Sequence, residues 1–184
     1  MRIISGLFKG KKIKEPNDLK TRPLKDLTKE SIFNILNHSN KFKVKIEDSI
    51  ILDLFSGVGS FGLECLSRGA KHVTFVEKYH RVLPILKKNL SNLNVDKKYQ
   101  IVKSDLFEKF GLNKINDKFD IIFLDPPYKE KKLPILINDI YKKKILNHGG
   151  IIIIHRHKKE IDKFSNKFKI LDEKKYGISK ILFG

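Results

Sequence analysis

The sequence predicts an α/β fold built on a mostly parallel sheet, and three features predict it. From residue 50 onward, apolar strand-like runs alternate with amphipathic helical runs, the pattern of crossover units whose helices cover a parallel sheet. Gly57, Gly59 and Gly62 follow the first of those strands directly and lead into a helix, the setting in which strand–loop–helix units hold nucleotides. Two short closing runs, FKILDEKKYG and SKILFG, leave little room for a helix between them. They predict a terminal hairpin, turning at Tyr176 and Gly177, and hence one antiparallel strand.

In chain order, residues 2–14 hold two β-like pieces, RIISG and KGKKIK, joined by a Gly-containing turn and carrying five Lys or Arg against no acid. TRPLKDLTKESIFNILN predicts a helix: Pro23 suits its start, and Leu24, Leu27, Ile32, Ile35 and Leu36 lie close to helical spacing. Strands are then predicted at IILDLF, HVTFVE, YQIVKSD, FDIIFLD and GGIIIIH, with helices at GLECLSRG, RVLPILKKNLSNL and PILINDIYKKKIL. The expected division is a basic hairpin-and-helix extension over 1–45 and a catalytic domain over 46–184.

A chain of 184 residues, 40% hydrophobic with 13 Phe, can bury one core with a small appendage but not two full-size domains. Its 39 Lys and Arg against 21 Asp and Glu leave a formal charge of +18, which favours a polyanionic partner through counterion release. A solvated face would carry the same charge, so composition alone names no partner. Cys65 is the sole cysteine, which excludes an intramolecular disulfide, a Cys-based zinc cage and a dithiol couple, and fits a reducing cytoplasm. The N-terminal stretch lacks the apolar core of a signal peptide, and no apolar run approaches the ~18 residues of a membrane span.

The glycine turn alone leaves the cofactor open, because a dinucleotide enzyme holds a pyrophosphate in the same geometry. Asp53, four residues before Gly57, would repel a pyrophosphate and suit the ammonium or sulfonium of S-adenosylmethionine. Phe55, Gly57 and Gly59 are the expected lining residues of the turn. Glu77 ends the second strand, where an acid can accept from both ribose hydroxyls. Asp105, after the third strand, could accept from an adenine amine, although Asp105 or Ser104 could equally cap a helix.

FDIIFLDPPY places Asp125 at the end of the fourth strand, on the same sheet edge as Asp53, Glu77 and Asp105. Pro126 has no N–H and is itself held extended by Pro127, so the segment forms a stiff shelf. The Asp125 carboxylate and the Pro126 carbonyl can accept both N–H groups of a nucleobase amine, while Tyr128 stacks on the flipped base. With a reference pKa near 3.9, Asp125 would act by positioning and polarisation more than by proton abstraction. A strand-ending turn would use similar residues. Arg2, Lys9, Lys11, Lys12 and Arg22 could follow an RNA backbone, Arg22 alternatively meeting a cofactor carboxylate. His155 and His157 sit two apart without a third ligand nearby, so no metal site is expected and they read as surface or sheet-end histidines. Cys65 reads as a core residue.

DLFSGVGSFGLE, SRGA, FVE and LDPPY, preceded by RIISGLFKGKKI and TRP…ESIFNIL, resemble over nearly the whole chain the bacterial family that methylates a guanine of 16S ribosomal RNA at N2. That resemblance implies a Rossmann-like class I methyltransferase fold, with seven strands, one of them antiparallel, and helices on both faces. It also implies S-adenosylmethionine as donor and 16S RNA or the small ribosomal subunit as partner, with no metal. A monomer is expected. Two departures stand out: Leu24 where the family's TRP motif continues with threonine, and His155 where it commonly has an acid. Neither is expected to touch the quartet Asp125, Pro126, Pro127 and Tyr128. An adenine-N6 DNA methyltransferase, a dinucleotide oxidoreductase and a catalytically silent RNA-binding protein remain alternatives on the residues.

Overall fold

The structure, a computed structural model, describes residues 1–16, 24–108 and 111–184. Seven strands form one sheet: β1 (Ile50–Leu54), β2 (His72–Glu77), β3 (Tyr99–Lys103), β4 (Phe119–Leu124), β5 (Leu146–His157), β6 (Asp172–Tyr176) and β7 (Ser179–Phe183). Their order is β3-β2-β1-β4-β5-β7-β6. Strands β1 to β5 run parallel, and β7 is antiparallel to both its neighbours, as the closing hairpin requires. Four helices complete the order: α1 (Asp26–His38), α2 (Ser60–Ser67), α3 (Leu83–Ser91) and α4 (Leu133–Lys143).

Because side chains alternate across a pleated strand, the central strands feed two cores. Ile51, Phe75 and Phe123 pack beneath α1, α2 and α3, while Leu52, Val76 and Ile122 pack against α4. The central strands are apolar on both faces, as a sheet covered on both sides demands. The outermost strand β6, DEKKY, is mostly exposed and charged, a composition that discourages pairing with another edge.

Two local expectations are corrected. Helix α1 begins at Asp26 and Leu27 is 78% exposed, because the buried face runs through Ile32, Phe33 and Leu36. Strand β5 begins at Leu146, ahead of GGIIIIH, and reaches its main register across a shift opposite Phe119 and Ile121. The two N-terminal pieces pair antiparallel as expected, Arg2 opposite Lys12, with the N–H groups of Ile3 and Ile13 donating to the carbonyls of Lys11 and Met1 at 3.0 Å each. Pro23 and Arg22 lie outside the described residues.

The N-terminal arm is fastened to the sheet domain. Glu64, fully buried in α2, accepts the backbone N–H groups of Ile4 and Ser5 at 2.7 and 2.9 Å. The ammonium of Lys29, buried on α1, donates to the Arg2 carbonyl at 2.7 Å and lies 3.7 Å from Glu64. Ile3 and Ile13 share the core of α1 and the sheet, so both sides of residue 45 belong to one packed unit.

Gly62 sets the distance between α2 and the sheet. A Cβ there would stand 2.3 Å from the Phe75 ring and 2.9 Å from Val73. Gly62→Ala is expected to destabilise the fold by about 1–3 kcal/mol, the usual range for overpacking a core. Urea unfolding midpoints of the two proteins would measure it, and an unchanged midpoint would mean that α2 can back away freely.

Candidate active site

Strand register alone gathers the acids. Asp53 pairs with Phe75 and Phe123, and Leu54 pairs with Val76 and Leu124. Glu77 and Asp125 are the next residues along their strands, so side-chain alternation puts both on the face that carries Asp53. Between β1 and β4 the strand order reverses, and open α/β sheets bind ligands at the carboxyl edge of that reversal. A cavity of about 1940 Å³ opens there, lined by Asp53, Phe55, Gly57, Glu77, Asp105, Asp125, Pro126, Pro127 and Tyr128. Nine predicted site residues thus share one space.

Asp53 is 1% exposed and accepts the Gly62 N–H at 3.0 Å. Burial pushes its carboxyl well above the usual range, and the nearby charges of Asp125 and Glu77 raise it further, against the opposing Gly62 N–H. Glu77 organises the turn, its two oxygens accepting the N–H groups of Gly57 at 2.8 Å and Tyr79 at 2.7 Å. Gly57 has φ +54° and open space where a Cβ would stand, so its backbone is accessible to a ligand. Gly59, with φ +87°, does not itself line the cavity, although Val58 and Ser60 on either side of it do. A Cβ there would strike Leu86 at 2.6 Å, so this glycine serves the turn and its packing. Phe55 also has positive φ, 60°, and stacks on Phe107.

Asp105 caps no helix. One oxygen accepts the Phe107 N–H and the other the Lys78 ammonium, each at 3.0 Å. Desolvation would raise its carboxyl, but those two donors outweigh it and hold the group below its ordinary value.

On the other side of the cavity, β5 holds the Asp-Pro-Pro-Tyr loop. Leu124 pairs with Ile154, so Asp125 and His155 are adjacent, and His155 Nδ1 lies 2.8 Å from Asp125 Oδ1. His155 is 6% exposed. Of the two readings of this histidine, surface or sheet-end, the second holds, and the expectation that it does not touch the quartet is corrected. Its strand ends at the site, and cross-strand register makes the contact. The other departure, Leu24, is buried and lines the cavity as an apolar wall.

Arg156, which sequence reasoning did not single out, is fully buried. Its guanidinium donates to the carbonyls of Pro127, Tyr128 and Glu130 at 3.2, 3.1 and 2.9 Å and pairs with both oxygens of Asp162. Three carbonyls of the loop are therefore fixed by one planar cation. The Pro126 carbonyl accepts no hydrogen bond among the described residues. The Tyr128 hydroxyl lies 3.3 Å from Ser179 Oγ, and its ring is 5.2 Å from that of His157.

The basic residues divide. Lys25, Lys78, Lys103, Lys114 and Lys129 line the main cavity; none was singled out, because nothing distinguishes them in so lysine-rich a chain. Arg2 and Lys9 line a separate cleft of about 570 Å³ between the arm and α1. Lys11 is tied to the Asn92 carbonyl, 2.9 Å away, and Lys12 is exposed. Arg22 lies outside the described residues. Cys65 is buried in the core as expected. No group of three or more potential metal-binding side chains occurs among the described residues, and no helix there is long and apolar enough to cross a membrane.

Comparison with known proteins places this arrangement. A family model described as conserved hypothetical protein 95 matches residues 1–184. The ribosomal RNA small subunit methyltransferase D of Haemophilus influenzae is 32% identical over 179 residues, covering 97% of this chain and 90% of its own. The protein of the same name from Buchnera aphidicola of Acyrthosiphon pisum is 35% identical over 159 residues, covering 86% and 78%. Among solved structures, yhhF of Escherichia coli superposes with a TM-score of 0.81 at 27% identity, covering 100% of this chain and 96% of that one. The sheet order, the glycine turn and the Asp-Pro-Pro-Tyr loop are those of a class I methyltransferase fold, and the chain belongs to the conserved hypothetical protein 95 family, that of the ribosomal RNA small subunit methyltransferases D.

Proposed function

We propose that this protein transfers a methyl group from S-adenosylmethionine to the exocyclic N2 amine of a guanine in 16S ribosomal RNA. It acts in the cytoplasm as a monomer, on the RNA or on the small ribosomal subunit. The reading is carried by one observation: a cluster of carboxylates, Asp53 and Glu77 buried among them, and a stapled Asp-Pro-Pro-Tyr loop line a single cavity. At about 1940 Å³, that cavity exceeds the ~300–1,000 Å³ of an ordinary ligand pocket and leaves room for a nucleoside cofactor beside a splayed-out base.

The residues fit the cofactor. Glu77 gives the pocket a negative charge that suits a sulfonium and an ammonium, Asp53 adds a second when a cation beside it favours its ionised form, and Gly57 leaves its backbone open. Glu77 keeps a lone pair on each oxygen for the ribose hydroxyls after accepting its two N–H groups. Asp105, which lines the same cavity, would accept from the adenine amine. When bound, S-adenosylmethionine would supply a methyl group on a sulfonium: as an amine lone pair bonds to that carbon, the C–S bond breaks and its electrons leave on sulfur as the neutral thioether.

Asp125 and the Pro126 carbonyl accept the two amine N–H groups and so hold the nitrogen lone pair out of conjugation with the base. Once that nitrogen carries the methyl group and a positive charge, Asp125 stabilises it and takes the surplus proton. Tyr128 stacks on the base, a contact worth about 1–3 kcal/mol. Arg2, Lys9 and Lys12 are exposed on an arm docked to the domain, and with the rim lysines they meet RNA phosphates.

Mass mapping of 16S ribosomal RNA from cells with and without this protein tests the reaction: one guanine should lose 14 mass units when it is absent, roughly one methyl group in place of hydrogen. An unchanged RNA would overturn the reading. For the site, Asp125→Asn keeps an acceptor for His155 but turns an acceptor toward the amine into a donor. Its kcat should fall by about 100-fold or more with cofactor Kd nearly unchanged, as for an interaction made in the transition state.

Asp53 yields a prediction of sign. Its folded-state carboxyl titrates above its unfolded value. The native state therefore loses stability progressively as pH rises from the ordinary carboxylate range up to that raised value; the full penalty is present above the raised value and none of it below the ordinary range. Asp53→Asn should raise the melting temperature at neutral pH and leave it unchanged in acid. The same substitution should weaken cofactor binding and abolish its rise with pH, because a cationic ligand favours the ionised acid. Calorimetric titration across pH would show a proton released on binding by the native protein and none by the variant.

A further inference from the structure

Resting on the proposed methyl transfer, we propose that His155 is a positioning residue for the reaction, acting through Asp125. A carboxylate only accepts hydrogen bonds, so the 2.8 Å contact between His155 Nδ1 and Asp125 Oδ1 requires the proton on Nδ1. The bond takes one named oxygen and leaves Oδ2 for the amine. Without it, Asp125 is a side chain with a broad χ2 preference, sitting 21% exposed at the cavity wall.

The surroundings give that bond further work. Asp125 shares its pocket with Asp53 and Glu77, whose charges act on one another, so a carboxylate there gains from a fixed N–H donor. The imidazole also meets the Tyr128 ring edge-on, with centroids 6.0 Å apart and planes at 72°, which fixes the stacking surface relative to the acid. With the proton on Nδ1, the Nε2 lone pair is buried and meets no partner among the described residues. That ring nitrogen therefore contributes nothing visible to the fold, and the hydrogen-bonding investment of this side chain goes entirely to Asp125. The next residue along β5, Arg156, points to the opposite face and fixes the loop carbonyls. Two successive residues of one strand thus hold the acid and the loop separately, a division that makes the first testable without dismantling the second.

The test exploits the stereochemistry of amides. The side-chain nitrogen of Asn falls near the Nδ1 position of a histidine, and that of Gln near Nε2. His155→Asn should hold kcat within about fivefold of the native protein, while His155→Gln and His155→Leu should lose about 10–100-fold, as expected for a reacting group displaced by ~1 Å. The loss should fall on kcat, with cofactor Kd and the KM for RNA unchanged. In an Asp125→Asn background, His155→Leu should cost nothing further, because the acid it positions is already disabled. A merely structural role would instead make the two losses add and would show in the melting temperature. Native kcat in the Leu variant, equal impairment in Asn and Leu, or a loss confined to cofactor affinity would each overturn the proposal. The hydrogen bond has a readout that needs no substrate. A slowly exchanging Nδ1–H proton resonance should be present in the native protein and lost in Asp125→Ala. If that proton is seen but no RNA is methylated, the proposed reaction fails while the pairing stands; if it is absent, the positioning role fails whatever the activity.

Discussion

Asp53 sits at 1% exposure on β1, and the carboxylates of Glu77 and Asp125 lie close enough to disfavour its ionisation. Removing a charged carboxylate from water costs of the order of several kcal/mol unless it is paired, and here the donor that meets it is a neutral backbone N–H from Gly62. That donor reaches Asp53 because α2 lies against the sheet at a distance no side chain larger than hydrogen would allow. The acid, the glycine and the helix position are thus one constraint. A fold that keeps such a group gives up stability at a site that a cation would complete, which marks Asp53 as a candidate ligand residue.

The same alternation that builds the two cores distributes the roles around the cavity. Odd-numbered positions on β1, β2, β4 and β5 carry Asp53, Glu77, Asp125 and His155 on one face, continuing the rows of Ile51, Phe75, Phe123 and Ile153. Arg156 falls on the other face and reaches the loop from behind. Beneath the cavity, Phe61 stacks on Phe123 with ring centroids 4.0 Å apart and on Phe33 at 5.3 Å. That ladder joins α1 and α2 to the strand that ends in Asp125. Ring packing of this density resists the small rearrangements that would loosen the floor of the site.

Most of this fold was legible because it depends on local pattern. Alternating apolar runs located the strands, the glycines located the turn, and Tyr176–Gly177 located the closing hairpin. Within the site, Asp53, Glu77 and Asp125 were legible because each ends or nearly ends a strand, and strand ends share an edge. His155 and Arg156 were not, because their roles depend on β4–β5 register across a separation of 26 to 30 residues, which a one-residue slip would reverse. The irregular start of β5 hides that register further. The close approach of Gly59 to Leu86 was not legible, because a spacing pattern cannot tell a glycine required by packing from one required by a ligand. Leu27 was placed on a buried face because apolar residues near helical spacing include some that merely decorate the outside.

The chain's +18 charge and its acidic cavity coexist because they act over different ranges. At physiological ionic strength the Debye length is about 8 Å, so rim lysines influence phosphates that touch them and little beyond. The buried acids are screened far less. The two fields meet at the Lys78–Asp105 pair, whose side chains are 53% and 27% exposed. An ion pair so solvated is worth about 0–1 kcal/mol and can yield to a competing donor at little cost. Glu77, held by two backbone N–H groups of the turn it organises, cannot move without unfolding that turn. In the proposed reaction, the cofactor's sugar is therefore met by a rigid acceptor and its base by an adaptable one. Its orientation is set at the sugar, the end nearer the sulfur, where displacement would misalign the methyl group with Asp125.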